Sequence, residues 1–244
     1  MSKVIVALDN MDINPALKLA QKLKGKVWGF KVNDLLINTG KLIVEMLKNH
    51  GRVFADPKFY DIPNTVGNGV SRLAEAGSDL ITVHASGGIS MMKQAVSAAR
   101  SSNSETKILA VTLLTSLPNN EAWQVYGLDH LHLDTKGVSD DEGRTNLVLN
   151  LVDLAIEAGV DGIVCSPKEA TAVREKLGNK LIVLPAFRPP GTENNDQIHT
   201  GGYEEAKFAD YIVVGRPITQ SNDPVAAAEA INAGVRKAET VLKL

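Results

Sequence analysis

The stretch Arg52-Val53-Phe54-Ala55-Asp56-Pro57-Lys58-Phe59-Tyr60-Asp61-Ile62-Pro63-Asn64-Thr65 passes from a short apolar run through charged residues into a helical pattern. It reads as a buried strand, a turn and the start of a helix. The same unit recurs along the chain: Val- and Ile-rich runs are expected as strands at roughly 3 to 8, 26 to 31, 52 to 56, 79 to 84, 107 to 114, 161 to 165, 180 to 184 and 210 to 214. Helix starts fall between them. Asn14-Pro15 and Asp223-Pro224 pair an N-cap with proline, while Ser139 to Glu142 and Ser166-Pro167-Lys168-Glu169 have capping-box spacing. Strict alternation requires right-handed crossovers and a parallel sheet covered on both faces. Eight units point to an α/β fold, a (β/α)8 TIM barrel forming a single catalytic domain over residues 1–244. An open doubly wound sheet is the alternative, but no G-x-G-x-x-G follows the first strand, which ends in Leu8-Asp9-Asn10-Met11.

Composition narrows the class. With 44% hydrophobic and 22% charged residues and a net charge of -2, the chain has no basic excess, so no nucleic-acid partner is expected. No apolar run is long enough to span a bilayer, and no basic segment followed by a long apolar stretch precedes Val4. The single cysteine, Cys165, excludes an intrachain disulfide and reads as a buried structural thiol. A cytoplasmic location is expected.

A barrel places its active site at the C-terminal ends of its strands. Those ends carry Asp9, Lys31, Asp56 with Lys58, His84, Thr115, Arg188 and Gly215-Arg216. Taken singly, each has an ordinary reading: Asp9 as a turn cap, Lys31 as a snorkelling side chain, His84 as a hydrogen-bonded neighbour, Arg216 as a surface ion pair. Two acids around one lysine also suit a solvated loop. In an extended strand, however, Asp56 and Lys58 share a face, and Asp61 lies in the turn beyond. The loops after strands seven and eight commonly hold phosphate, and Arg188, Gln197, Gly215 and Arg216 offer donors there, Gly215 allowing close backbone approach. The segment Pro185 to Gln197 has the composition of a lid. The segment from Ser116 to Val138 is either a cover over the pocket or a surface excursion with a short helix near Asn120 to Tyr126. His130 and His132 lack partners at metal-ligand spacing.

These residues resemble the orotidine 5′-phosphate decarboxylase family over nearly the whole chain. The resemblance is carried by Val6-Ala7-Leu8-Asp9, Phe30-Lys31-Val32, the run Asp56 to Thr65, Val83-His84-Ala85-Ser86-Gly87-Gly88, Val111 to Ser116, Arg188-Pro189-Pro190-Gly191, Asp196-Gln197 and Val213 to Thr219. One departure stands out: Pro185-Ala186-Phe187-Arg188 replaces the family's usual P-G-I-R, which bears on lid flexibility. The resemblance implies decarboxylation of orotidine 5′-phosphate to uridine 5′-phosphate, the last step of de novo synthesis of that nucleotide. It implies a catalytic array of Lys31, Asp56, Lys58 and Asp61, with Lys58 protonating C6. Asp9 would meet the ribose and Thr115 the pyrimidine. Arg188, Gln197, Gly215 and Arg216 would surround the phosphate. It further implies a homodimer with shared active sites, in which Asp61, Ile62 and Thr65 serve the partner's pocket.

The family uses neither metal nor organic cofactor, and the chain offers no evident pyridoxal phosphate lysine or metal-ligand cluster. Two alternatives remain open at this level. One is a metal-dependent sugar-phosphate decarboxylase or aldolase of the same barrel group, which shares D-x-K-x-x-D. The other is a catalytically silent nucleotide-binding protein.

Overall fold

The computed structural model describes residues 3–103, 105–127, 139–189 and 198–241. The first part of the chain contains β1 (Val4–Ala7), α1 (Ile13–Leu23), β2 (Gly29–Val32), α2 (Asp34–Thr39), α3 (Leu42–Leu47), β3 (Arg52–Phe59) and α4 (Pro63–Glu75). There follow β4 (Leu80–His84), α5 (Gly88–Ser102), β5 (Lys107–Val111), α6 (Asn119–Val125) and α7 (Asp140–Ala158). The remainder is β6 (Gly162–Val164), α8 (Ala170–Leu177), β7 (Leu181–Leu184), α9 (Tyr203–Ala206), β8 (Tyr211–Val214), α10 (Arg216–Thr219) and α11 (Pro224–Val241). Each strand pairs in parallel with the next and β8 pairs with β1, so the sheet closes as the alternation requires.

Side-chain parity divides the core in two. Ile5, Phe54, Leu80, Leu109, Val111, Val164, Val183 and Val213 fill the barrel interior. Their strand neighbours, among them Val4, Val6, Val53, Ala55, Ile81, Ile108, Ile163, Ile182 and Ile212, pack outward under the helices. This period of two leaves no polar face on the strands, which is why they read as continuous apolar runs. Gly29 and Gly162 are forced by the pairing, since a Cβ would lie 2.2 Å from the Arg52 carbonyl oxygen and 2.4 Å from that of Leu181.

The helix signals hold with two differences. Ser139 Oγ accepts the Glu142 N–H, and Asp223 Oδ1 accepts those of Val225 and Ala226. The first helix, however, starts at Ile13 with Asp12 as N-cap, so Asn14 is not the cap. Pro15 sits inside the first turn, where a missing N–H costs nothing. Glu169 does not close a reciprocal box; it ends a short 3-10 turn, and its carboxylate meets Arg144 and the Ser166 hydroxyl.

A repeated strut ties the floor of the barrel. Asp79, Asp161 and Asp210 each immediately precede an even-numbered strand. Their carboxylates accept the backbone N–H of Val53, Ile108 and Ile182, in the preceding odd-numbered strands, each at 2.8 Å. Each also meets a cation, Lys48 at 2.8 Å, Arg100 at 2.6 Å and Arg174 at 2.7 Å. Before β2 the same position is Trp28, whose ring packs 4.6 Å from Tyr211 with the Arg52 guanidinium 5.6 Å away. Strain gathers at the opposite end. The non-glycine residues with positive φ among the described residues are Asn10 (58°), Lys58 (49°) and Ala186 (60°), which follow β1, lie in β3 and follow β7. Asparagine tolerates this region, whereas lysine and alanine do so at a cost.

Two outcomes follow from the backbone. Asp161→Ala should lower stability by about 1–3 kcal/mol, chiefly because the Ile108 N–H loses its acceptor. The partly exposed pair with Arg100 adds little. Asp161→Asn, which keeps an acceptor, should fall between the two in thermal unfolding. Ala186→Gly should be neutral or stabilising by up to about 1 kcal/mol, because relief of left-handed strain opposes the extra unfolded-state entropy of glycine; a clear drop in Tm would contradict this.

Candidate active site

The inward parity of the strands carries over to the mouth of the barrel. On β2, Phe30 and Val32 face outward, so Lys31 faces in; on β3, Ala55 faces outward and Asp56 in. Lys31 is 8% exposed and Asp56 5%. Lys58 reaches the same place by a different route from regular alternation. Ala55 pairs with Ile81 but Phe59 with Val83, so four steps along β3 match two along β4 and the excess is bulged out. Lys58 takes its positive φ within that bulge, its N–H donating to Thr82 Oγ1 at 3.0 Å. Bulges re-aim side chains beside functional sites.

The result is a line of alternating charges. The Lys31 ammonium lies 3.0 Å and 2.8 Å from the two Asp9 carboxylate oxygens and 3.2 Å from Asp56 Oδ2. The Lys58 ammonium donates to the same Asp56 oxygen at 2.6 Å. The Thr82 hydroxyl donates to Asp56 Oδ1 at 2.8 Å, and Asn33 Nδ2 holds the Asp56 carbonyl at 2.6 Å. Burial alone would push the Asp56 carboxyl up, but Lys31 and then Lys58 outweigh it, and its pKa is lowered. Burial likewise works against the Lys31 ammonium, and Asp56 and then Asp9 reverse it, so its pKa is raised. Burial, then the Lys58 charge, hold the His84 imidazole below its usual range, with Asp56 acting against them. His84 also meets the edge of Tyr60, with centroids 6.0 Å apart.

These groups form one wall of a cavity of ≈ 540 Å³, a size that encloses ligands of nucleotide dimensions, roughly 300–1,000 Å³. Asp9, Lys31, Asp56 and Lys58 line it together with Thr115, Ser116, Arg188, Gly215 and Arg216. Two arginines therefore border the same space as the carboxylate–lysine line. At Gly215, which borders the cavity, a Cβ would make an ordinary 3.8 Å contact with Ala7. Cys165 is also at this wall but buried, and burial pushes its thiol well up, as fits a structural cysteine. Phe187, 2% exposed, packs edge-on to Tyr203 at 5.3 Å, and the Arg188 N–H bonds the Gly201 carbonyl at 2.9 Å. The replacements of glycine and isoleucine noted above thus put Ala186 in a left-handed turn and Phe187 in the core.

Three expected site residues do not reach this chain's own cavity. Asp61 is exposed and its Oδ1 accepts the Ile62 N–H at 2.6 Å. Ile62 is 66% exposed, and Thr65 stands exposed in the first turn of α4. Gln197, most of the expected lid, and His130 and His132 lie outside the described residues. Sequence reasoning missed Thr82 and Asn33. Thr82 was legible: in Leu80-Ile81-Thr82-Val83-His84 a polar residue occupies the inward parity of an otherwise apolar strand.

Comparison with known proteins agrees with this geometry. The family model of orotidine 5′-phosphate decarboxylase / HUMPS matches residues 2–231. The orotidine 5′-phosphate decarboxylase of Moorella thermoacetica is 40% identical over 243 residues, covering 96% of this chain and 92% of that protein. That of Wigglesworthia glossinidia brevipalpis is 38% identical over 236 residues, covering 95% and 96%. The crystal structure of orotidine 5′-phosphate decarboxylase from Lactobacillus acidophilus superposes with a TM-score of 0.76 at 34% identity, covering 96% of this chain and 99% of that one. With match and geometry extending over nearly its full length, this chain belongs to the orotidine 5′-phosphate decarboxylase / HUMPS family.

Proposed function

We propose that this chain, as one catalytic domain over residues 1–244, decarboxylates orotidine 5′-phosphate to uridine 5′-phosphate without metal or organic cofactor, Lys58 delivering the proton to C6. The observation that carries this reading is the line Asp9–Lys31–Asp56–Lys58 facing two arginines across one cavity. Phosphate binding alone would require the arginines but none of these acids, which speaks against a silent binding protein. The relatives named above carry the decarboxylase name, and no observation favours a sugar-phosphate lyase.

Loss of carbon dioxide from C6 leaves an electron pair in the ring plane, where the ring carbonyls cannot delocalise it. The Lys58 ammonium stabilises that charge and then protonates the carbon. Asp56 would face the substrate carboxylate. Two like charges about 4 Å apart repel by roughly 4 kcal/mol at an effective dielectric near 20. Asp56 cannot turn away, because Lys31, Lys58 and Thr82 hold both of its oxygens. On this reading Asp9 meets the ribose, Thr115 the pyrimidine edge, and Arg188, Arg216 and the Gly215 backbone the phosphate, roles that their shared cavity supports, with Gln197 assigned there by family resemblance.

The partner is a second copy of the chain. Ile37, 85% exposed, borders an open apolar hollow lined with Leu36, Pro57, Phe59 and Leu73 between α2 and α4, and Tyr60 and Ile62, in the turn before α4, are 64% and 66% exposed. A face of this kind calls for a cover. A symmetric dimer through it would carry Asp61, Ile62 and Thr65 away from their own pocket toward the partner's. Among the described residues no helix is long and apolar enough to cross a membrane, and the one cysteine is a free, buried thiol, which supports the cytoplasm as its place of work.

Purified protein should bleach the orotate absorbance of orotidine 5′-phosphate at a rate unaffected by a chelator; absence of turnover removes the assignment. Lys58→Ala should fold yet lose at least about 10³-fold in kcat, whereas a near-normal rate would take Lys58 out of the mechanism. Mixing inactive Lys58→Ala and Asp61→Ala proteins under subunit exchange should restore activity through hybrid dimers carrying one intact site. Continued inactivity despite exchange would refute the shared site.

A further inference from the structure

A second buried charge cluster lies behind the Thr115–Ser116 side of the cavity. Arg144, in the second turn of α7, is 1% exposed and Glu169 2%. Arg144 Nε donates to Glu169 Oε1 at 2.8 Å, and the other Glu169 oxygen accepts the Ser166 hydroxyl. The rest of the guanidinium does not face solvent. Its Nη1 donates to the Leu117 carbonyl at 2.8 Å and to Asn119 Oδ1 at 3.4 Å, and its Nη2 donates to the Leu114 carbonyl at 3.1 Å.

Those two carbonyls define what Arg144 holds. The Leu117 N–H bonds the Leu114 carbonyl at 3.1 Å, so Leu114–Leu117 is a tight turn with Thr115 and Ser116 at its centre. Both central residues line the cavity. The Thr115 carbonyl in turn accepts the N–H groups of Ile198, at 3.2 Å, and His199, at 3.1 Å, on the chain returning from the β7 loop. A planar fork of fixed geometry thus grips both ends of a two-residue turn, while Glu169, from the segment after β6, neutralises the fork. Three loops at the C-terminal end of the barrel converge on one ion pair.

Resting on the decarboxylase reading, we infer that Arg144, oriented by Glu169, is a positioning residue that fixes the Thr115–Ser116 turn against the pyrimidine ring. A merely structural ion pair would support the fold as a whole. This one should act on the base more than on the phosphate: its other donors go directly to the carbonyls bracketing the turn, whereas the β7 loop that carries Arg188 is reached one step further on, through the Thr115 carbonyl, and Arg216 lies on another loop.

Alanine at either position would leave a buried charge alone and risks unfolding. The test therefore uses Arg144→Lys, which keeps the charge and loses the fork, and Glu169→Gln, which keeps the shape and loses the charge. Binding of uridine 5′-phosphate and of ribose 5-phosphate, which lacks the base, is measured on each variant and on the parent protein. Both variants should bind uridine 5′-phosphate about 10-fold more weakly, the scale of losing one or two hydrogen bonds to the base. Affinity for ribose 5-phosphate should fall several-fold less, and kcat/KM for orotidine 5′-phosphate should fall with the base affinity. Equal loss on both ligands, undiminished binding of uridine 5′-phosphate, or failure of both variants to fold would overturn the assignment. Absence of turnover in the parent protein would instead reject the decarboxylase reading, with the two-ligand comparison still reporting on Arg144.

Discussion

Asp56 is 5% exposed, with the ammonium groups of Lys31 and Lys58 at 3.2 Å and 2.6 Å from one and the same oxygen. Removing ions from water costs several kcal/mol each, and the mutual attraction offsets this only when every remaining lone pair is met. Thr82 meets the other oxygen and Asp9 the far side of Lys31. These groups come from four strands or strand ends, Asp9 after β1, Lys31 on β2, Asp56 and Lys58 on β3 and Thr82 on β4, so the array exists only if β1, β2, β3 and β4 are neighbours in register. The barrel supplies that order, and its apolar interior of Phe54, Leu109, Val111 and Val213 closes the space beneath. The carboxylate struts at the floor tie β3 to β4, β5 to β6 and β7 to β8 from below, so stability is placed at one end and charge and backbone strain at the other.

The eight strands were legible because their inner and outer faces are both apolar, which leaves Val- and Ile-rich runs that nothing else in the chain imitates. The rim residues were legible for the converse reason: each breaks such a run at its C-terminal end. The meeting of Asp56 and Lys58 was also foreseen, though alternation was not its cause. The bulge that aims Lys58 shows itself only in the mismatch between Ala55–Ile81 and Phe59–Val83, and a register shift depends on the partner strand. Thr82 carried a readable parity signal. Arg144 carried none, since an arginine early in an amphipathic helix reads as a solvated residue until Glu169, 25 positions later, is found to face it. Asp61, Ile62 and Thr65 were identified through their motif, and the geometry of a single chain gives them no cavity to serve.

Ala186 shows how local conformation and sequence departure fit together. Its φ of 60° is one that glycine adopts freely, and glycine is what the family commonly has there. The methyl is buried, and the next residue, Phe187, packs its ring against Tyr203 and bridges its backbone to Gly201. The turn that presents Arg188 is therefore anchored by packing where a glycine would rely on backbone freedom. That trade sits next to Arg188, two strands from Asp9 and four from Asp56, so it leaves the charge line untouched.

The charge line itself is balanced, two acids against two lysines, before any substrate arrives. On the proposed reaction a carboxylate then enters beside Asp56, and when carbon dioxide leaves as a neutral molecule the negative charge does not leave with it. It moves by about one bond, from the carboxylate to C6, away from Asp56 and toward the Lys58 ammonium. A fixed array need not change its own charge to drive this; it need only make the second position lower in energy than the first. Groups that could swing toward the carboxylate would relax and level the two positions, which is why rigidity matters more here than the number of charges. On that proposal the bonds that fix Asp56 from Thr82, Lys31 and Lys58 are part of the chemistry, and the strained backbone of Lys58 is the conformation that would let one side chain both hold that acid and face the reacting carbon.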